Sequence, residues 1–195
     1  MEIVHYPHPA LRWKSCPVTR INAALKSTVR EMFELMYEAM GVGLAANQVA
    51  LPFRFFIINI SGDPELTDEE FVFLNPEITN RSGTVEGEEG CLSVPQLYGQ
   101  VQRAESLTVS AYDLEGEGFQ MDLDELPCRV VQHENDHLEG VMFFDRMSDT
   151  DRKELEPGID EFETIFRHCQ ATGDCDSDEE LARQLGSLER NGLGG

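Results

Sequence analysis

The stretch His133-Glu134-Asn135-Asp136-His137 decides how this sequence is interpreted, because it combines two metal-binding side chains with an acidic one. Residues four apart on an α-helix lie on the same face, so the imidazoles of His133 and His137 can bind one ion. Glu134 follows the first histidine, as in hydrolases that use this carboxylate to deprotonate a metal-bound water. The stretch therefore predicts a metal-dependent hydrolase.

The residues around this stretch carry the signals of a helix from about Leu126 to Leu138. Asp124 and Glu125 place negative charge at its positive N-terminal end, and Gly140 stands where a helix commonly ends. We therefore expect a helix that presents both histidines on one face, as a shared ion requires.

A catalytic ion of this kind needs a third protein ligand and one position open to water. Phe143 stands where one large class of metalloproteases has a third histidine, and phenylalanine cannot bind a metal. Cys91 is the better candidate, since a thiolate and two imidazoles together can hold a catalytic ion. The other source, a glutamate from a downstream helix as in other metallopeptidases, stays open for Glu154, Glu156, Glu161 and Glu163.

The composition of the 195 residues indicates one soluble domain with some excess length. A hydrophobic fraction of 41% is enough for an ordinary core, and no apolar run is long enough to cross a bilayer. Residues 1–12 contain no apolar signal-peptide centre, so we expect a cytoplasmic protein without membrane association. The formal net charge of −22 disfavours direct binding to nucleic-acid phosphates.

The cysteines of the sequence are Cys16, Cys91, Cys128, Cys169 and Cys175. Their number is odd, their spacing is irregular and no secretion signal precedes them, so the sequence predicts no disulfide framework. A cysteine with a special role is then expected to be a ligand or a nucleophile.

Further elements are predicted on both sides of the motif. Asn22 can cap a helix that runs to about Met40, because apolar residues recur there at helical spacing and Gly41 follows. Strand patterns cover residues 53–60, 71–74, 107–112 and 119–123. The last two strands are expected to form a hairpin, and Asn75-Pro76 is expected to end the second strand.

The C-terminal part changes character along its length. A helical stretch from about Thr150 to His168 is expected to be interrupted near Pro157-Gly158. The polar, acidic segment that follows contains a capping box formed by Ser177 and Glu180. We expect this segment to be either a weakly attached helix or a disordered tail.

Taken together, these motifs resemble those of the peptide deformylases. Three family motifs appear in family order: residues 41–48 (Gly-Val-Gly-Leu-Ala-Ala-Asn-Gln), residues 89–93 (Glu-Gly-Cys-Leu-Ser) and residues 132–137 (Gln-His-Glu-Asn-Asp-His). Supporting similarities lie at His5-Tyr6-Pro7, residues 74–78 and residues 101–103. The likeness covers about residues 1–150.

The resemblance implies an α+β fold in which twisted, mainly antiparallel sheets pack around a central helix that carries the two histidines. We accordingly expect a deformylase-like catalytic domain over residues 1–168 and an acidic, weakly ordered tail over residues 169–195. The implied activity is removal of the formyl group from the N-terminal formylmethionine of newly made polypeptides, with release of formate. Two alternatives remain: the metallopeptidase with a glutamate ligand, and a catalytically inactive homologue that binds a peptide.

The resemblance also assigns roles to residues of the motifs. The implied metal ligands are Cys91, His133 and His137. The family ion is usually Fe2+, and Zn2+, Ni2+ or Co2+ can substitute for it. Glu134 is implied to take a proton from the bound water and later to give one to the leaving amine. The side-chain amide of Gln48 and the backbone N–H of Leu92 are implied to stabilise the oxyanion.

The residues implied to contact the substrate are Val42, Gly43, Leu44, Glu89, Gly90, Tyr98, Leu126, Arg129 and Val130. Val42, Leu126 and Val130 would line the methionine pocket, and Gly43 permits close approach by an extended peptide. Glu89 and Arg103 resemble the family's buried ion pair, which steadies the cysteine loop. Tyr98 stands where some members have arginine.

The expected partners are formylated nascent peptides, and we expect a monomer. Some bacterial members carry a basic terminal helix that docks on the ribosome. From Met147 onward this chain has thirteen acidic and five basic residues, which disfavours that ribosome contact.

Overall fold

The computed structural model describes residues 1–194 and has an α+β architecture with antiparallel sheets, as predicted. Its helices are α1 (Ala23–Glu38), α2 (Glu125–Leu138), α3 (Asp149–Thr172) and α4 (Asp178–Asn191). Its strands are β1 (Gly43–Ala45), β2 (Phe55–Ile58), β3 (Phe71–Ser82), β4 (Val85–Gly90), β5 (Tyr98–Arg103), β6 (Ser106–Tyr112) and β7 (Gly118–Asp124). Within residues 1–194, every helix is too short or too polar to cross a lipid bilayer.

The strands form two separate sheets within the described residues. The larger sheet has the order β1-β2-β3-β6-β7, and each neighbouring pair is antiparallel. The smaller sheet pairs β4 with β5. The sequence patterns do not predict β4 or β5, since β4 is largely polar and lacks the alternation typical of a half-buried strand.

Helix α1 confirms the helix predicted after Asn22. The Asn22 side-chain oxygen accepts a hydrogen bond from the backbone N–H of Leu25 at 2.9 Å, which satisfies one donor of the first turn. The buried side of the helix consists of Leu25, Val29, Met32, Phe33 and Met36. The residue in left-handed conformation after the helix is Met40, with φ 56°, rather than the expected Gly41.

Helix α2 confirms the helix predicted around the histidines. Its apolar residues pack in one cluster with side chains of the larger sheet; the members on the helix are Cys128, Val130, Val131 and Leu138, and those on the sheet include Phe56, Phe73 and Val109. Because this packing fixes the rotation of the helix about its axis, it also fixes the direction in which the other residues of the helix point.

Strand β3 does not end at Asn75-Pro76, so the predicted stop is wrong. Asn75 adopts φ 53°, and the register against β6 shifts between Leu74 and Glu77. The Asn75 amide donates to the carbonyl of Val18 and accepts from its N–H, both at 2.8 Å. A β-bulge therefore accommodates Asn75 and Pro76, and the strand continues beyond them.

Helix α3 is continuous through Pro157, so the predicted interruption is also wrong. Pro157 is exposed, which leaves the carbonyl that has lost its N–H partner on the water side. Gly158 faces the protein, where a Cβ would come within 2.6 Å of Leu97 Cδ2. Gly158 thus serves packing, Pro157 lies on the water side, and neither residue breaks the helix.

The C-terminal segment was expected to be either a weakly attached helix or a disordered tail. Residues 178–191 form helix α4. The Ser177 side chain accepts from the N–H of Glu180 at 3.3 Å, which confirms one of the two hydrogen bonds of the predicted capping box. Leu185 is buried, and Trp13 Nε1 donates to Glu189 at 2.9 Å. The domain boundary expected at residue 168 lies inside α3, so this helix continues past the expected end of the catalytic domain.

A disulfide joins Cys169 to Cys175, whose Cα atoms are 5.3 Å apart. The expectation that the cysteines form no disulfide is wrong at this pair. The turn between α3 and α4 brings the two residues together, and their spacing alone does not reveal this. Cys16, Cys91 and Cys128 are free, as expected.

Candidate metal centre and active site

Three side chains converge beside helix α2. Cys91 lies in the loop after β4, and His133 and His137 lie one turn apart on α2. The Cys91 Sγ atom is 3.3 Å from His137 Nε2, which is 3.2 Å from His133 Nε2. One ligand atom from each of the three residues lies within 4.8 Å of the others. The structure therefore brings together the set that the sequence analysis favoured.

The geometry of this set fits a metal ion. A tetrahedral ion with ligand bonds of about 2.0–2.3 Å holds its ligand atoms roughly 3.3–3.6 Å apart, close to the separations found here. One sulfur and two imidazole nitrogens suit iron, zinc, nickel and cobalt alike. Three protein ligands leave a tetrahedral ion one position for water or substrate.

Glu134 lies directly beside the three ligands. Its side chain is 4% exposed, and its Oε2 atom is buried without a hydrogen-bond partner in the described residues. Burial raises the pKa of Glu134 to about 7. Gly43 of β1 lies against it, since a Cβ at that position would come within 2.5 Å of Glu134 Oε1. The carboxyl group is thus held near the ligands with one oxygen available for a reacting molecule.

Both the oxygen and the nitrogen of the Gln48 side-chain amide make hydrogen bonds, and they hold Gln48 against the loop that carries Cys91 (residues 91–97). It lies in the short 3-10 helix that follows β1, and its Oε1 accepts from the N–H of Ala45 at 2.9 Å. That bond turns the amide nitrogen toward the loop, where Nε2 is 3.4 Å from Cys91 Sγ and 3.3 Å from Ser93 Oγ. Leu92 follows Cys91 directly, and its side chain packs at Gly41.

A buried ionic network supports His133 from behind. Glu89 accepts from His133 Nδ1 at 3.0 Å, from Arg103 Nε at 2.9 Å and from Arg129 Nη1 at 2.8 Å. Burial alone would raise the pKa of Glu89, but hydrogen bonds from Arg103 and His133 outweigh it and hold the pKa well below its usual range. Glu89 therefore fixes the ring orientation of one ligand, as carboxylates beside metal-binding histidines commonly do.

The network extends to Asp136 and Arg146, two residues to which the sequence assigned no role. Arg103 Nη1 donates to Asp136 Oδ2 at 2.5 Å, and Arg146 Nη2 donates to Asp136 Oδ1 at 2.7 Å. Asp136 lies between the two histidines of the motif, and this position was the sequence feature that could have pointed to its role. Its partners come from β5 and from the segment before α3, and sequence spacing cannot place those together.

A cavity of about 670 Å³ opens at the cluster. Its lining includes these residues from the sequence analysis: Val42, Gly43, Gln48, Glu89, Gly90, Cys91, Leu92, Tyr98, Leu126, Arg129, Val130, His133 and Glu134. Leu44 is outside the lining and lies in the core against α1, and its expected substrate contact stays a prediction. Side chains alternate along a strand, so Leu44 points away from the side on which Gly43 faces Glu134.

Comparison with known proteins decides the family. Residues 1–153 match the family described as polypeptide deformylase. The chain belongs to the peptide deformylase family. A peptide deformylase from Rhodopirellula baltica is 46% identical over 195 residues, which cover 100% of this chain and 96% of that protein.

Solved structures of deformylases share the fold. An Arabidopsis thaliana peptide deformylase 1B in complex with an inhibitor has a TM-score of 0.83 at 41% identity, covering 89% of this chain and 94% of that one. The peptide deformylase from Thermus thermophilus has a TM-score of 0.76 at 39% identity, covering 84% and 97%.

The glutamates considered for the alternative metallopeptidase are not part of the candidate ligand group. Within residues 1–194, the ligand group at this site consists of Cys91, His133 and His137. The four candidate glutamates lie on α3, where Glu163 accepts a hydrogen bond from Tyr6 Oη at 2.9 Å. The structure thus gives no support to a glutamate ligand.

Proposed function

We propose that the chain removes the formyl group from the N-terminal formylmethionine of newly made polypeptides and releases formate, as a metal-dependent hydrolase. The observation that carries the proposal is the convergence of one sulfur and two imidazole nitrogens beside a buried carboxyl group with an unpaired oxygen. Membership of the deformylase family supports the same reaction.

The metal centre consists of Cys91, His133 and His137 in this proposal, and Fe2+ is its ion, with Zn2+, Ni2+ or Co2+ as substitutes. The ion supplies Lewis acidity, which lowers the pKa of water and polarises the formyl carbonyl. Helix α2 is then the central helix of the family fold, and its packing against the larger sheet holds both histidines in place.

Glu134 acts as the acid–base group. In the first step its carboxylate accepts a proton from the attacking water while the water oxygen bonds to the formyl carbon. In the second step the same group gives that proton to the amine nitrogen as the carbon–nitrogen bond breaks. A carboxyl whose pKa lies near 7 can do both at neutral pH, and burial gives Glu134 such a pKa.

Two donors stabilise the negative charge that develops on the formyl oxygen. They are the side-chain Nε2 of Gln48 and the backbone N–H of Leu92, which directly follows Cys91 in the chain. The bond from Ala45 to Gln48 Oε1 supports this role, because it orients the amide before substrate arrives. Donors that are already oriented cost no reorganisation during the reaction.

The substrate lies in the cavity with its methionine side chain against Val42, Leu126 and Val130. The peptide backbone runs beside β1 and the end of β4, where Gly43 and Gly90 line the cavity. Glu89, Arg129 and Tyr98 complete the wall along the smaller sheet, and Arg103 supports Glu89 from behind.

The working form is a monomer that acts in the cytoplasm on formylated nascent chains, without direct binding to nucleic acid. The acidic residues of α3 and α4 argue against a basic ribosome-docking helix of the kind found in some bacterial members. Residues 1–168 serve as the catalytic domain, and the remainder is a terminal extension.

Formate release tests this proposal directly. Protein purified and assayed without oxygen is given formyl-Met-Ala, acetyl-Met-Ala and an unblocked peptide. We expect formate from the first substrate and no cleavage of the others. Glu134→Gln should lower the rate about 100-fold or more while it keeps the ion. Binding of formyl-Met-Ala without release of formate would instead indicate an inactive peptide-binding homologue.

A further inference from the structure

A second cavity, of about 590 Å³, shares no lining residue with the cavity at the candidate metal centre. Its walls come from helix α1, from the start of strand β3 with the residues before it, and from the hairpin of strands β6 and β7. We call this cavity, which is lined from within residues 29–33, 67–72 and 113–121, the α1 groove. The proposed reaction makes no use of it, so a ligand bound there serves another purpose.

The side chains that line the α1 groove are largely apolar. Val29 and Phe33 of α1 are buried at its base. Phe71, at the start of β3, is 38% exposed, and Phe119 and Met121 of β7 are partly exposed. A single exposed apolar side chain is ordinary on a protein surface, but several around one cavity are typical of a binding site.

The aromatic side chains of the groove are held in place by a buried neighbour. The ring centroids of Phe71 and Phe73 are 6.5 Å apart, and Phe73 is fully buried. The centroid of Phe119 is 5.3 Å from that of Phe73, with the two rings edge to face. Because rings packed in this way have little freedom to lose when a ligand binds, they form a surface that is ready to accept an apolar side chain.

Two acidic segments contribute to the walls of the groove. Residues 65–70 contain four carboxylates and residues 113–117 contain three, and neither segment contains a lysine or an arginine. Glu70 accepts a hydrogen bond from Tyr37 Oη at 2.8 Å. Asp113 accepts from the backbone N–H groups two and four residues later, both at 2.9 Å. These donors are neutral, so the negative charges of the two carboxylates remain.

Two cations beside the groove do not cancel this charge. Lys26 Nζ is 3.1 Å from Glu115 Oε1, and Arg30 belongs to the lining. Two cations against seven carboxylates leave an excess of five negative charges around an apolar surface. Such a surface is complementary to a partner that carries an apolar residue among basic ones, and it repels acidic proteins and nucleic acids.

We propose that the α1 groove binds a basic segment of a partner protein. The segment inserts an aliphatic or aromatic side chain among Val29, Phe71 and Met121, while its lysines or arginines meet the two acidic segments. The apolar anchor supplies most of the affinity, and the charges supply selectivity and rapid association. The inference does not depend on the deformylase reaction, because the groove and the catalytic cavity are separate.

Three fluorescent peptides test the inference on the full chain. The first is acetyl-Lys-Lys-Phe-Leu-Lys-Lys-amide, and in the second and third every lysine is replaced by serine or by glutamate. At low salt we expect the lysine peptide to bind about tenfold more tightly than the serine peptide, and the glutamate peptide to bind most weakly. Added salt should narrow these differences, because the carboxylates are largely exposed.

Substitution of an apolar residue locates the binding of the lysine peptide. Phe71→Ser should weaken it about fivefold, because part of the apolar surface is lost. Ile165→Ser is the matched control, since Ile165 is 61% exposed on α3 and lies outside the groove lining. This control should keep the wild-type affinity, and an equal loss in both variants would overturn the inference.

Substitution of a carboxylate separates local from general electrostatics. Glu70→Gln keeps the shape of the side chain and should weaken binding of the lysine peptide about threefold. Glu161→Gln, on α3 and outside the groove lining, removes the same charge elsewhere and should leave the affinity unchanged. An equal effect of both changes would overturn the inference, since the overall negative field would then be the cause.

The wild-type protein alone can also contradict the inference. Absence of binding by all three peptides would overturn it, and so would equal affinity for the lysine and serine peptides, because the groove would then bind apolar ligands without regard to charge. Self-association of the chain that Phe71→Ser abolishes would assign the groove to a second copy instead. Formate release should be unchanged in all four variants, and it tests the proposed deformylase function independently of these outcomes.

Discussion

Gly43 shows at the scale of one residue how a missing side chain shapes this site. Strand β1 runs past Glu134, and the side chain of Glu134 occupies the space that a side chain at Gly43 would need. Any other residue there would push the carboxyl group that the proposed reaction uses. The need for glycine thus comes from contact with Glu134 and not from an unusual backbone angle, since Gly43 is not among the residues with positive φ.

Gly43→Ala should therefore reduce formate release without unfolding the protein. The new Cβ would lie 2.5 Å from Glu134 Oε1, so the carboxyl must move by several tenths of an ångström or more. Small displacements of a catalytic group can lower kcat about 100-fold. The measurement is kcat on formyl-Met-Ala with circular dichroism of the variant.

Gly118→Ala is the matched control for this change. Gly118 also begins a strand, and its Cβ would find ordinary space at 3.6 Å from Tyr112 Cε1. This variant should keep the wild-type kcat. If Gly43→Ala kept it as well, the contact with Glu134 would have no catalytic consequence.

Single residues also show what the sequence can and cannot predict about the site. His133 and His137 were predictable because helical periodicity alone places residues four apart on one face. Cys91 needed the family resemblance as well, since no local pattern links it to α2. Asp136 was overlooked, because its role depends on Arg103 and Arg146, which reach it from separate elements.

At the scale of elements, local signals predicted helix starts well and breaks poorly. The caps at Asn22 and Ser177 work as expected because a cap needs contacts only within its own turn. The stops expected at Asn75-Pro76 and Pro157-Gly158 failed, because Val18 and Leu97 supply tertiary contacts at these points. Strands β4 and β5 escaped prediction because they pair mainly through polar residues.

The disulfide between Cys169 and Cys175 should stabilise the junction of α3 with α4. It closes a short loop with a sequence separation of 6, and a loop of that size accounts for about 2 kcal/mol of chain entropy. Reduction, or replacement of both cysteines by serine, should make α4 more sensitive to limited proteolysis. Formate release should stay unchanged, because neither cysteine lies in the cavity lining.

Identical digestion of the oxidised and reduced proteins would contradict this account of the junction. A serine replacement at Cys16, which is free and lies elsewhere, gives the control for the loss of a thiol. Its digestion pattern under oxidising conditions should match that of the wild type.

At the scale of the whole molecule, the site exists only where distant elements meet. The loop that carries Cys91 connects the two strands of the smaller sheet, Gln48 follows the edge strand of the larger sheet, and the histidines lie on α2. Composition predicts none of this, and the excess of acidic residues spreads over the whole chain. The order of the three motifs was the sequence feature that implied their convergence.

The most direct test of the central claim is the metal content of the protein purified without oxygen. Wild-type protein should hold about one ion per chain and release formate, and Cys91→Ser should lose most of the ion together with the activity. Cys128→Ser, which removes a buried cysteine of α2 outside the cluster, should keep both. Full metal content in Cys91→Ser would contradict the claim that this sulfur and the two imidazoles hold the catalytic ion.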